Sequence, residues 1–167
     1  GPETEQAKVR AIVDDGSGTY DESDDWFSIR RVVTVYYVND GSGDDDEYTS
    51  AVGDSANDGL SPGAPKASIR GVLESYELGP GDVVLVDTGI YELTTNVVIT
   101  AADAGVEIAG PPETVAELRR GNSESGSYGI EVVDADGVVI RDLKIVGGYH
   151  GVWVGGASGG AGVVLER

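Results

Sequence analysis

Gly129-Ile130-Glu131-Val132, Gly137-Val138-Val139-Ile140 and Gly151-Val152-Trp153-Val154 are one tetrapeptide written three times: glycine, then apolar, any residue, apolar. Gly105-Val106-Glu107-Ile108 and Gly162-Val163-Val164-Leu165 repeat it on either side. Alternation with period two, bounded by Gly, Asp and Asn, describes short half-buried strands. The spacing says how they stack. From Gly129 to Gly151 is 22 residues, which fits a single coil of a parallel solenoid, and from Gly137 to Gly162 is 25, a coil with a longer turn. The 32 residues from Gly105 to Gly137 fit a coil with an excursion, supplied by Pro111 to Ser127 and holding Arg119 and Arg120. One such coil cannot bury its inward Val and Ile alone, but coils stacked about 4.8 Å apart build a continuous core and pair every strand.

Working outward, Val83 to Val86, Val97 to Ile99 and Leu143 to Val146 read as further strands of the same kind. Before them, Ile69, Val72, Leu73 and Tyr76 fall at helical spacing, with Ser68 as N-cap and Gly79-Pro80-Gly81 as the stop. This predicts a helix of about two turns from Ser68 to Tyr76, placed to cover the first coil, because an open sheet end is a pairing surface. Val32 to Val38 reads as a strand running into the acidic loop Asn39 to Glu47, and Val9 to Val13 with Trp26, Phe27 and Ile29 as a hairpin. The expected organisation is an acidic N-terminal segment over 1–34, then strand, acidic loop and capping helix over 35–82, then coils over 83–167. The class is all-β, a parallel β-helix (solenoid) with a short N-terminal capping α-helix. Since Gly162 to Leu165 opens a coil that the sequence given does not complete, further coils or an end-to-end homodimer through that open coil are expected.

Composition narrows the partners. The 167 residues carry a net charge of −19, which repels nucleic acid and anionic membranes and favours cations. Between Asp14 and Asp58 stand thirteen carboxylates against Arg30 and Arg31 alone. No apolar run approaches the roughly 20 residues of a membrane span. With no cysteine, disulfides, thiolate metal sites and a Cys nucleophile are all excluded.

Asn57-Asp58-Gly59, Ser61-Pro62, Pro65, Ala67-Ser68-Ile69, Gly79-Pro80-Gly81-Asp82-Val83-Val84-Leu85-Val86 and Thr88-Gly89-Ile90-Tyr91 together resemble the entry segment of secreted right-handed β-helix proteins of the pectate-lyase-like superfamily. The likeness covers roughly residues 36–110. It implies a right-handed winding, an extracellular or cell-surface location, and polysaccharide as the usual substrate or ligand. It does not imply activity, because the same entry heads lyases, epimerases, hydrolases and adhesins.

The residues leave two functions open. One is a structural or polysaccharide-binding segment of a surface protein, with polysaccharide or another surface protein as partner. The other is the N-terminal part of a polysaccharide lyase or epimerase whose catalytic coils lie beyond Arg167. A lyase needs a base beside the uronate and a cation on its carboxylate. In the superfamily that is commonly calcium held by Asp, with an Arg or Lys base. Candidate catalytic residues are Lys144, Tyr149 and His150, the sole histidine, with no neighbouring carboxylate in sequence to orient it. Tyr149 and Trp153 are candidates to stack on sugar rings, with inward packing the alternative for Trp153, and Arg119 and Arg120 are candidates to bind ligand. Asp40, Asp44, Asp45, Asp46 and Glu47 crowd hard oxygen donors into a short Gly-containing loop, which suits calcium, although their spacing is not that of an EF-hand. A solvated acidic face is the alternative.

Overall fold

A computed structural model describes residues 32–157 and 159–167 of the protein, together with the backbone of four short strands nearer the N-terminus. The chain divides into two units, residues 1–32 and 33–167. In the first, β1 (Glu5–Ala7), β2 (Arg10–Ile12), β3 (Tyr20–Glu22) and β4 (Phe27–Ile29) form two antiparallel pairs, β1 with β4 and β2 with β3. The strand expected over Val9 to Val13 corresponds to β2, but its hairpin partner is β3 and not the strand at Phe27 and Ile29, which pairs with β1. Trp26 and the acidic positions Asp14, Asp15, Asp24 and Asp25 lie outside the described residues.

The second unit opens with β5 (Val35–Val38) and the helix α1 (Ile69–Leu73). Strands follow: β6 (Val83–Val86), β7 (Gly89–Glu92), β8 (Val97–Thr100), β9 (Glu107–Ala109), β10 (Ala116–Asn122) and β11 (Tyr128–Val133). The chain ends with β12 (Val139–Arg141), β13 (Leu143–Gly148), β14 (His150–Gly155) and β15 (Val164–Glu166). These strands make three separate parallel sheets, ordered β15-β12-β9-β6-β5, β13-β10-β7 and β14-β11-β8. From β6 onward the chain visits the three sheets in strict rotation, laying each strand beside the one from the previous circuit. The unit is therefore all-β and mostly parallel, an arrangement compatible with a solenoid.

The tetrapeptide spacings are pairing distances. Ile130 faces Val152, Val139 faces Val164 and Glu107 faces Val139, so the intervals of 22, 25 and 32 residues each span one circuit. The five copies nevertheless fall on two different sheets. Inward side chains align in columns across the rungs: Tyr36, Val84, Ile108 and Ile140 in one sheet, Val97, Ile130 and Val152 in another, Tyr91, Leu118 and Ile145 in the third. Most of these are buried, each worth roughly 1.5–3 kcal/mol of transfer free energy.

Three expectations need correction, and one strand was not expected at all. The stretch from Pro111 to Ser127 is not a bare excursion, because it contains the seven-residue strand β10. There Ala116 and Leu118 point inward while Glu117 and Arg119 alternate with them, so charge disguises the period of two. Gly89–Glu92 is likewise a strand in its own right. The first strand begins at Val35, and Val32 is 82% exposed. Helix α1 has five residues, shorter than the two turns expected. Ser68 does cap it, its Oγ accepting from Gly71 N at 3.1 Å. The last turn then tightens, with Ser75 N and Tyr76 N both donating to Val72 O.

Candidate functional site

The acidic loop is organised around a carboxylate that does not belong to it. Asp87, at the corner between β6 and β7, is fully buried and accepts from Glu47 N (2.8 Å), Tyr48 N (3.0 Å), Thr49 N (2.7 Å), Thr49 Oγ1 (2.8 Å) and Thr88 N (2.8 Å). Burial pushes its carboxyl up, but the bonds from Glu47, Thr49, Thr88 and Tyr48 outweigh that and hold it below the usual carboxylate range. Beside it, buried Asn39 donates through Nδ2 to Asp46 Oδ2 (2.8 Å), Thr49 Oγ1 (2.9 Å) and Ala51 O (3.0 Å).

Several of the expected metal-ligating oxygens are spent on this scaffold. Asp40 accepts from Ser42 N at 2.7 Å and from Ile90 N at 2.9 Å. Glu47 Oε1 accepts from Thr114 Oγ1 at 2.6 Å. Asp44 accepts from the Ser42 hydroxyl at 3.0 Å, and Asp45 holds the left-handed turn, φ 59°. Among the described residues, Asp46 Oδ1 is the one buried side-chain polar atom without a partner. Burial raises the Asp46 carboxyl above its ordinary value, opposed by the bond from Asn39 and reinforced by the charge of Asp87. The donor chemistry suits a hard cation, yet among the described residues no three carboxylate or imidazole groups converge on one point.

A different constellation forms at the corner where β11 and β14 begin. The Tyr128 ring stacks on Trp153, centroids 5.4 Å apart and planes within 4°, and on His150 at 5.8 Å and 16°. Tyr149, 51% exposed, meets His150 edge-on at 4.6 Å. Trp153 sits opposite Glu131 on the outward side of its strand, which rules out inward packing. Its indole lies against Gly155, where a Cβ would fall 2.3 Å from the ring. Asn96 ties the rim together: its Oδ1 accepts from Tyr128 N (3.0 Å) and Arg120 Nε (3.1 Å), and its Nδ2 donates to Glu131 Oε2 (2.7 Å). Four aromatic rings flanked by an amide, a carboxylate and a guanidinium can stack on apolar sugar faces and bond to hydroxyls.

The two arginines part company. Arg120 joins this corner and donates to Leu93 O and Thr94 O as well. Arg119 lies on the outer face of β13-β10-β7, bound to Glu117 and 3.6 Å from Glu92. Lys144 is there too, 2.6 Å from Glu117. The Glu117 carboxyl is held low by Lys144 and then by Arg119. Lys144 is thus committed elsewhere than the Tyr149 and His150 pair, and among the described residues no carboxylate forms an ion pair with His150.

Tyr128, Asp87 and Asn39 were not expected as site residues. For Tyr128 a signal existed: Tyr128-Gly129-Ile130-Glu131-Val132 and His150-Gly151-Val152-Trp153-Val154 are the same pattern one circuit apart, so their leading aromatics must stack. No helix among the described residues is long and apolar enough to cross a membrane. In comparisons with known proteins the chain matches no family model, no curated protein and no solved structure.

Proposed function

We propose that the chain is a right-handed parallel β-helix segment of an extracellular or cell-surface protein, related to the pectate-lyase-like superfamily, with a structural or polysaccharide-binding role, of which binding is the reading the aromatic corner favours. Strict rotation among three parallel sheets supports the β-helix, and the strong preference of parallel crossovers for one hand supports the right-handed winding. One observation carries the binding role: the outward array of Trp153, Tyr128 and His150 with Tyr149 at its edge. The ligand is a neutral glycan or one whose acidic groups are bridged by calcium, since a net charge of −19 repels a bare polyuronate. Calcium would be drawn to the outward carboxylates of Asp44, Asp45 and Glu47 and the orphan oxygen of Asp46.

Titration calorimetry against a panel of neutral oligosaccharides and oligouronates, with and without calcium, tests the reading. Trp153→Ala should weaken binding about tenfold, equivalent to about 1.4 kcal/mol, with little change in melting temperature. A panel in which nothing binds, or binding that the substitution leaves intact, would sink it. Unsaturated product absorbing in the ultraviolet would instead promote the lyase reading.

A further inference from the structure

The N-terminal edges of the three parallel sheets are closed in three different ways. The edge of β5 is paired by main chain: Tyr37 N donates to Gly59 O, Lys66 N to Tyr37 O and Asn39 N to Lys66 O. The edge of β8 lies under α1, with Arg70 donating to Asn96 O at 3.2 Å and Asp103 accepting from Thr100 N at 3.0 Å. The edge of β7 has a lone side-chain carboxylate. Gly89 N and Leu93 N turn toward β10, donating to Val115 O and Arg119 O, so the pleat turns Ile90 and Glu92 the other way. Ile90 N takes Asp40 Oδ2, and among the described residues Glu92 N has no acceptor.

Beside that edge lies a cleft of about 470 Å³. Its accessible apolar wall is Ile90, set over the buried side chains of Tyr91 and Ile69, and Asp40, Glu92 and Arg70 are its charged lining residues. Gly53, in its wall, cannot carry a side chain, because a Cβ there would fall 1.9 Å from Asn39 O. A strand edge that is only partly paired among the described residues, next to a cleft, is the arrangement that accepts an added strand, the main chain giving affinity and alternate side chains packing beside it.

We propose that this cleft takes an extended, cationic segment of a partner polypeptide, which adds as a strand to the edge of β7 at Glu92, beside Asp40, and lays an aliphatic side chain against Ile90, 47% exposed at the mouth of the cleft. The basic character follows from Asp40 and Glu92, which outnumber Arg70 in the lining, and from the net charge of −19. The proposal is independent of glycan binding, since it uses another edge and other residues.

The test uses the full chain and the blocked peptide acetyl-Lys-Val-Lys-Val-Lys-amide, followed by NMR shifts of the protein amides. Binding should perturb Glu92 and its neighbours first. A strand has one set of alternate amides facing its partner, so N-methylating that set should weaken binding at least about tenfold, while methylating the other set should change it less than about twofold. The acidic counterpart with Glu for Lys should not bind, and Glu92→Gln should weaken the basic peptide. No binding, equal sensitivity to both methylation patterns, or shifts centred on Trp153 in place of Glu92 would each overturn the proposal.

Discussion

The acidic loop from Asp40 to Thr49 and the aromatic corner of β11 and β14 both look like ligand sites in the sequence, but folding spends them in opposite ways. In the loop, main-chain amides and Asn39 occupy carboxylate oxygens that seemed free for a cation, while Asp87 takes up the loop's own amides. At the corner, the coil uses its apolar residues inward and leaves Trp153, stacked on Tyr128, and Tyr149, 51% exposed, on the outside. Polar residues crowded in one loop satisfy one another, because an unpaired buried group is costly. Aromatic residues on the outside of a rigid strand can stack on one another and still leave part of their surface exposed.

That contrast is most easily broken at Asp87. Asp87→Ala leaves the amides of Glu47, Tyr48 and Thr49 without their acceptor and should cost about 3 kcal/mol, seen in chemical denaturation. The same group sets a pH dependence. Its carboxyl is held low in the folded protein, so its contribution is present at pH values above the ordinary Asp range and is lost as pH falls through the depressed folded value. Wild type should therefore lose stability on acidification more steeply than Asp87→Asn, and parallel pH profiles would show that Asp87 is not the fastener.

At the aromatic corner the expected changes are smaller and of another kind. Gly155→Ala adds one methyl, with no change of charge, where the indole now lies, and should reduce glycan affinity by severalfold through displacement of Trp153. Unaltered tryptophan fluorescence together with unaltered binding would mean that the ring does not depend on Gly155. The smallest effect concerns the loop again. Millimolar Ca²⁺ should raise the melting temperature by about a degree or two, and more than Mg²⁺ does, because the orphan oxygen of Asp46 and the outward carboxylates prefer the larger cation. Identical shifts from matched NaCl would reduce this to screening.

Much of the coil was legible because glycine followed by alternating Val and Ile leaves little else to be read, and the 22-residue interval between Gly129 and Gly151 is directly a pairing register. Strand β10 was not legible, since Glu117, Arg119 and Arg120 outnumber the inward Ala116 and Leu118 and follow two prolines. Site residues were legible in part. Trp153 and Tyr149 announce themselves as large rings among small residues. Asp87 does not, because its role arises from contacts 38 to 40 residues away, which no local pattern carries.

The ladder on the outer face of β13-β10-β7 has an effect at a distance. Glu117 there is met by both Arg119 and Lys144, and on the neighbouring sheet Arg141 meets Glu107 and Asp142, so these faces carry charge that largely cancels. Excess negative charge in this unit is left to loops such as Asp40 to Glu47. The unit is thus an electrical vector as well as a net anion. Approaching a negatively charged cell wall or gel, it would feel a torque before any contact, turning its loops outward and its neutralised flanks inward, over a range of about 10 Å in 0.1 M salt.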